Sequence, residues 1–170
     1  MILHKFLIAS ACAGMLAGCR ADSSPVAQQA APISSQQGLD RLPLRIRTAS
    51  GTHDFQVEVA ATNEQQATGL MFIESLGPDK GMVFPFDPPR PAAFWMKNTM
   101  IPLDMIFVRQ DCSIAKIAVN TIPQSLEPVG TEEVVAAVLE IAGGRSAELG
   151  INEGDCVSWP GGPSDRRKAA

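Results

Sequence analysis

Leu42-Pro43-Leu44-Arg45-Ile46-Arg47-Thr48, then Ala49-Ser50-Gly51-Thr52, then His53-Asp54-Phe55-Gln56-Val57-Glu58-Val59-Ala60: across this stretch apolar and polar residues alternate twice. A period of two belongs to a half-buried strand, because successive side chains leave opposite faces of the pleat. Leu42, Leu44 and Ile46 share one face of the first strand, and Phe55, Val57 and Val59 one face of the second. Ser50-Gly51 between them predicts a hairpin turn.

The same reading extends toward the C-terminus. Thr62 and Gln65 form a capping box, which predicts a short helix to about Met71, weakened by Gly69. Gly81–Phe86 reads as a strand that runs into an irregular loop at Pro85 and Pro88-Pro89-Arg90-Pro91. Ala92–Met96 is a further strand. Asp104–Arg109 and Cys112–Val119 predict a hairpin across Gln110-Asp111, and Glu132–Ile141 a long strand ended by Gly143-Gly144. Arg145–Leu149 is a single helical turn closed by Gly150, and Asp155–Trp159 is the last strand. About eight short strands with one or two short helices make an α+β, β-rich domain. Its architecture is a small, partly closed sheet or barrel over residues 41–160.

The N-terminal residues carry an address. His4 and Lys5 precede an uncharged, mostly apolar run from Phe6 to Gly18. That run is too short for a hydrocarbon core of about 30 Å, which takes roughly 20 residues, and suits the apolar region of a signal peptide. It ends in Leu16-Ala17-Gly18-Cys19, small residues followed by a thiol. Residues 1–18 are therefore expected to be a bacterial lipoprotein signal, with Cys19 carrying the lipid. The partner this implies is a membrane, reached through acyl chains rather than a spanning helix. Arg20 stands where an inner-membrane retention Asp would, so the outer membrane, periplasmic side, is expected. Residues 19–40 are rich in Ala, Ser, Gln and Pro and read as a tether. Residues 161–170 read as a disordered tail.

Composition narrows the classes. The chain carries 14 basic against 18 acidic residues, and no basic stripe points to nucleic acid. Cys12 leaves with the signal and Cys19 takes the lipid. Cys112 and Cys156 remain, and in an oxidising compartment they are expected to form a disulfide. A zinc set of His53, Cys112 and Cys156 lacks motif spacing. No cofactor signature is present.

The run Phe94-Trp95-Met96-Lys97-Asn98-Thr99-Met100-Ile101-Pro102-Leu103-Asp104 concentrates polar side chains beside strand-like apolar ones. Trp95, Lys97, Asn98, Thr99 and Asp104 are the candidate binding residues. Trp95 would stack, and the polar groups would contact a sugar, a peptide or a small anion. In a strand, Trp95 and Lys97 share a face opposite Phe94 and Met96. Asp104 falls with Ile106 and Val108, and Glu140 with Val134, Ala136 and Val138. Asp104 and Glu140 are candidate catalytic carboxylates if two environments split their pKa values. The structural alternative is that Asn98 and Thr99 cap a turn, Asp104 accepts backbone N–H bonds and Lys97 pairs with Asp104 or Glu140.

Gly69-Leu70-Met71-Phe72, Gly81-Met82-Val83-Phe84-Pro85-Phe86, Phe94-Trp95-Met96-Lys97-Asn98-Thr99 and Ile101-Pro102-Leu103-Asp104, in this order, resemble the family of unknown function numbered 192. Leu139-Glu140-Ile141, Gly150 and Gly154-Asp155 fit its closing pattern, so the resemblance covers about residues 42–159. It implies a small β-rich domain, often exported or lipid-anchored, and no established reaction. The pattern has an arginine before Gly69, where this chain has Ala67-Thr68. The expected function is non-enzymatic binding of a small molecule, glycan or peptide in the cell envelope. A carboxylate-pair hydrolase and a structural or partner-docking module are the alternatives.

Overall fold

A computed structural model describes residues 38–163. The expectations for the signal peptide, for Cys19, for the tether up to residue 37 and for the tail from residue 164 lie outside the described residues. No helix among the described residues is long and apolar enough to cross a membrane.

The elements run β1 (Arg41–Arg47), β2 (Thr52–Val59), α1 (Asn63–Thr68), β3 (Lys80–Phe94), β4 (Leu103–Val108), β5 (Ile114–Ala118), β6 (Val129–Ala142), α2 (Arg145–Leu149) and β7 (Cys156–Ser158). They build a β-rich α+β domain around one seven-stranded sheet of order β5-β4-β6-β3-β2-β1-β7. The β1–β2 hairpin is antiparallel, with Leu44 opposite Phe55 and Arg47 opposite Thr52. The capping box at Thr62 and Gln65 starts α1. This crossover lets β3 lie parallel to β2. The helix ends at Thr68, short of Met71, because Gly69 takes φ +49° and ψ −133°, outside the helical region.

The proline run does not break the chain into two strands. β3 passes through it as one 15-residue strand, which leaves seven strands where the sequence suggests about eight. Its pairing with β6 shifts register between Pro85 and Arg90 and again between Arg90 and Ala92. Prolines cannot donate to the ladder and are tolerated where such bulges relax it. The irregularity also re-aims β6. Val135 and Val138 pack into the same core cluster despite their odd spacing, while Val134 is exposed. Glu140 therefore shares its face with Val138 but not with Val134.

Two apolar cores result. The first lies inside the curved sheet, where every strand contributes: Leu44, Phe55, Val83, Ile106, Ile114, Leu139 and Val157 are buried together. The second lies on the outer face of β3, β4 and β6. There Met82, Phe84, Met105, Phe107 and Val138 are covered by Leu70, Ile73 and Met96. The sheet edges meet at β5 and β7. The Val157 N–H donates to the Cys112 carbonyl at 2.8 Å, and the Ile114 N–H to the Asp155 carbonyl at 2.8 Å. The expected Cys112–Cys156 disulfide is present at this seam, with a Cα–Cα distance of 4.8 Å. It ties the two edges together and nearly closes the barrel.

Candidate functional site

Asp104 sits on β4 with no exposed surface. Its Oδ1 accepts the N–H of Asn120 at 2.8 Å and of Gly144 at 2.9 Å, and its Oδ2 accepts the Ser146 N–H at 2.8 Å. Helix α2 has no side-chain cap of its own. Asp104 thus supplies, from another strand, the acceptor that the helix start needs. Gly144 at φ +83° makes the turn possible. The carboxylate is committed to backbone, as the structural alternative had it.

Glu140 lies on the other face of the sheet. It stands opposite Met82 and Met105, whereas Asp104 stands opposite Ile141. The two candidate catalytic carboxylates are on opposite faces and do not assemble a pair. Among the described residues no hydrogen bond or ion pair holds the Glu140 carboxyl. Burial among methionines raises its pKa from the ordinary 4.5 to about 8. Between these values the folded chain holds a proton that the unfolded chain has lost, so stability falls as pH rises. The slope is up to about 1.4 kcal/mol per pH unit. Glu140→Gln is expected to flatten that decline, read by urea unfolding at several pH values between the two pKa values. An unchanged slope would assign the proton to another group.

A cavity of about 430 Å³ opens at the edge of the outer core. Leu70, Phe84, Phe94, Trp95, Leu126 and Pro128 form apolar walls, and Thr99, Gln66 and Arg90 also line it. Phe84 and Phe94 meet edge to face, with ring centroids 5.0 Å apart. The Gln66 side-chain amide donates to the carbonyls of Ala60 and Pro85, pinning the end of α1 to β3. Glycine is favoured at 69 by its positive φ, and a Cβ there would press on the Phe84 ring at 3.3 Å.

The loops around the cavity are locked to one another. The Phe72 N–H donates to the Asn98 carbonyl, Met96 to Ser125, and Gln124 to Thr99. Phe72, Asn98 and Gln124 adopt φ of +64°, +56° and +60°. Residues with a Cβ are disfavoured in this region, and such strain persists only where the surroundings impose it.

The candidate binding residues separate into two groups. Trp95 and Thr99 line the cavity. Lys97 lies beside it, with Nζ 5.1 Å from the Trp95 ring centroid, and has no carboxylate partner among the described residues. It pairs with neither Asp104 nor Glu140. Asn98 is a turn residue whose amide donates to the Met71 sulfur, and Asp104 is a backbone clamp. Cys112 and Cys156 are consumed by their disulfide and cannot join His53 as metal ligands. Sequence reasoning missed Gln66, Arg90, Leu126 and Pro128, which reach the cavity from distant segments. The apolar Leu126-Glu127-Pro128 in an otherwise polar loop was the one available signal.

The blocks Gly69-Leu70-Met71, Phe84 and Phe94-Trp95, separate in sequence, converge on this one cavity. The profile of the family described as DUF192, Uncharacterized ACR, matches residues 45–159. The chain belongs to the DUF192 family. Two solved structures are similar to this DUF192 chain. One, from Sinorhizobium meliloti 1021, is described as a candidate transcription regulator; it is 40% identical, with a TM-score of 0.72, over 75% of this chain and 99% of its own. The other, from Novosphingobium aromaticivorans DSM 12444, is described as a protein of unknown function; it is 44% identical, with a TM-score of 0.71, over 81% and 99%. Among curated proteins none matches the chain significantly. Ala67 and Thr68 both line the cavity. Arg90 of β3 is the one charged residue in that lining.

Proposed function

We propose that this DUF192 protein is an exported, lipid-anchored envelope protein that binds a small ligand in the cavity beside Trp95. The observation that carries the binding is the cavity itself. Its volume of about 430 Å³ falls within the roughly 300–1,000 Å³ usual for ligand sites. Its apolar aromatic walls with a few polar groups match the chemistry of such sites. A small molecule, a sugar or a short peptide end would fit. The anchoring rests on the Leu16-Ala17-Gly18-Cys19 sequence and the outer-membrane destination on Arg20, and membrane fractionation decides between the two membranes.

A thermal-shift panel tests the binding. It holds peptidoglycan fragments, sugars, short peptides, nucleotides and divalent metals. A ligand at 100 times its dissociation constant is expected to stabilise by about 2.7 kcal/mol. Trp95→Ala should abolish that shift and leave the unliganded protein folded, because Trp95 is 51% exposed. Silence across the panel, with Trp95→Ala strongly destabilising, would make the motif a fold determinant.

A partner-docking role is the second reading. Phe72, Met100, Ile122 and Leu126 are at least half exposed on the same locked loops. Exposed apolar residues gathered in this way mark contact surfaces. The hydrolase reading loses its basis, since Asp104 and Glu140 face apart.

A further inference from the structure

We infer that the ligand of the Trp95 cavity is an amphipathic anion: an apolar, preferably aromatic body carrying one carboxylate, with Arg90 receiving the carboxylate. This deepens, and rests on, the small-ligand reading above.

Charge pairing around the domain motivates it. Arg41, Arg45, Arg109 and Arg145 each hold a carboxylate, at 3.0, 2.8, 2.7 and 2.9 Å. Arg90 has no carboxylate partner among the described residues, although acidic residues outnumber basic ones in the chain. Its guanidinium carbon lies over the Phe86 ring, 4.1 Å from the centroid. That contact holds the guanidinium beside an aromatic face. Among the described residues only Nη1 has an acceptor, the Pro91 carbonyl at a long 3.4 Å. The rest of the fork is available to a planar carboxylate, which it can grip with two parallel bonds.

The rest of the cavity agrees. No acidic side chain lines it. A second cation, Lys97, stands over the Trp95 ring outside the lining and is likewise without a carboxylate partner among the described residues. An anionic ligand would therefore meet the positive Arg90 and no negative lining residue, while its body replaced water against Phe84, Phe94 and Trp95. A cationic ligand would meet the same guanidinium as repulsion.

Titration calorimetry of the purified protein with indoleacetate, indoleacetamide and tryptamine tests this, because the three share a body and differ in head group. Arg90 is open to solvent, so the expected preference for the acid over the amide is moderate, about fivefold, with tryptamine weakest. Arg90→Gln should bring the acid down to the affinity of the amide and leave the amide unchanged. Arg90→Lys should keep part of the preference, since it retains the charge without the fork. Trp95→Ala should weaken all three. Equal binding of acid and amide by the unmodified protein would overturn the anion and leave the small-ligand reading standing. No binding of any of the three at millimolar concentration would overturn the aromatic anion, while the small-ligand reading would stand or fall on the thermal-shift panel. The acid-to-amide ratio in the unmodified protein needs no variant, so the result stands even if an Arg90 variant folds poorly.

Discussion

Replacing Cys112 and Cys156 by serine is expected to lower the stability of the domain by about 4 kcal/mol. The two cysteines are 44 residues apart in sequence. Opening a loop of that size returns its closure entropy to the unfolded chain, and the chain-entropy model gives the figure just quoted. The location adds a second effect. The bridge joins β5 to β7, the two edges of the sheet, and β7 is only three residues long. The rest of the seam is one isolated pairing, Ser113 with Cys156, and a few backbone bonds. Without the covalent tie β7 should fray first, exposing Val157 and the inner core behind it. Thermal unfolding followed by circular dichroism should show a fall on the order of 15 °C. Adding reductant to the unmodified protein should reproduce it. A fall below about 3 °C would mean that hydrogen bonds and packing close the barrel unaided.

Much of the fold was legible because its signals are local. Alternation in residues 42–60 specifies β1, β2 and their register, since one face must be buried. The capping box specifies where α1 begins, and Gly143-Gly144 and Gly150 bracket α2. The proline run misleads for a physical reason. A proline ends a regular ladder, but a bulge removes the need for its N–H, and whether a bulge forms depends on the partner strand. Here the partner is β6, where Val135, 45 residues on, pairs with Arg90 between the two register shifts. The same non-local effect moved Val134 off the Glu140 face.

The site was half legible. Trp95 and Thr99 came from a dense local motif, and they line the cavity. Arg90 was read only as part of a breaker run, because nothing around it in sequence shows that Phe86 will hold its guanidinium in place. Asp104 illustrates the opposite error. A carboxylate beside a tryptophan motif suggests chemistry, and only the fold reveals that its acceptors are taken by Asn120, Gly144 and Ser146, up to 42 residues away.

Asp104→Ala is accordingly expected to cost about 3–5 kcal/mol of folding stability, with no direct effect on the cavity. Three backbone N–H groups lose their acceptor, at least one of them in a fully buried setting. Each unsatisfied buried donor costs about 1–3 kcal/mol, and water entering the gap would return part of it. Asp104→Asn separates charge from geometry. Its carbonyl oxygen can still serve Asn120 and Gly144, but its amide then faces the Ser146 N–H, donor against donor. An intermediate loss of about 2 kcal/mol follows. Glu148→Gln on the exposed side of the same helix should change stability by less than about 0.5 kcal/mol. Urea unfolding ranks the three, and hydrogen exchange locates the damage: protection should fall first at Gly144 and Ser146, because α2 opens when its cap is gone. Should Asp104→Ala prove nearly neutral instead, the buried carboxylate would not be holding α2, and its place beside the Trp95 motif would again call for a chemical role. The clamp and the catalyst make opposite demands on this residue. A clamp needs every lone pair engaged and water kept out, whereas a general acid or base needs at least one oxygen free to meet a substrate. Three short bonds to backbone N–H groups at a site with no exposed surface satisfy the first demand and defeat the second.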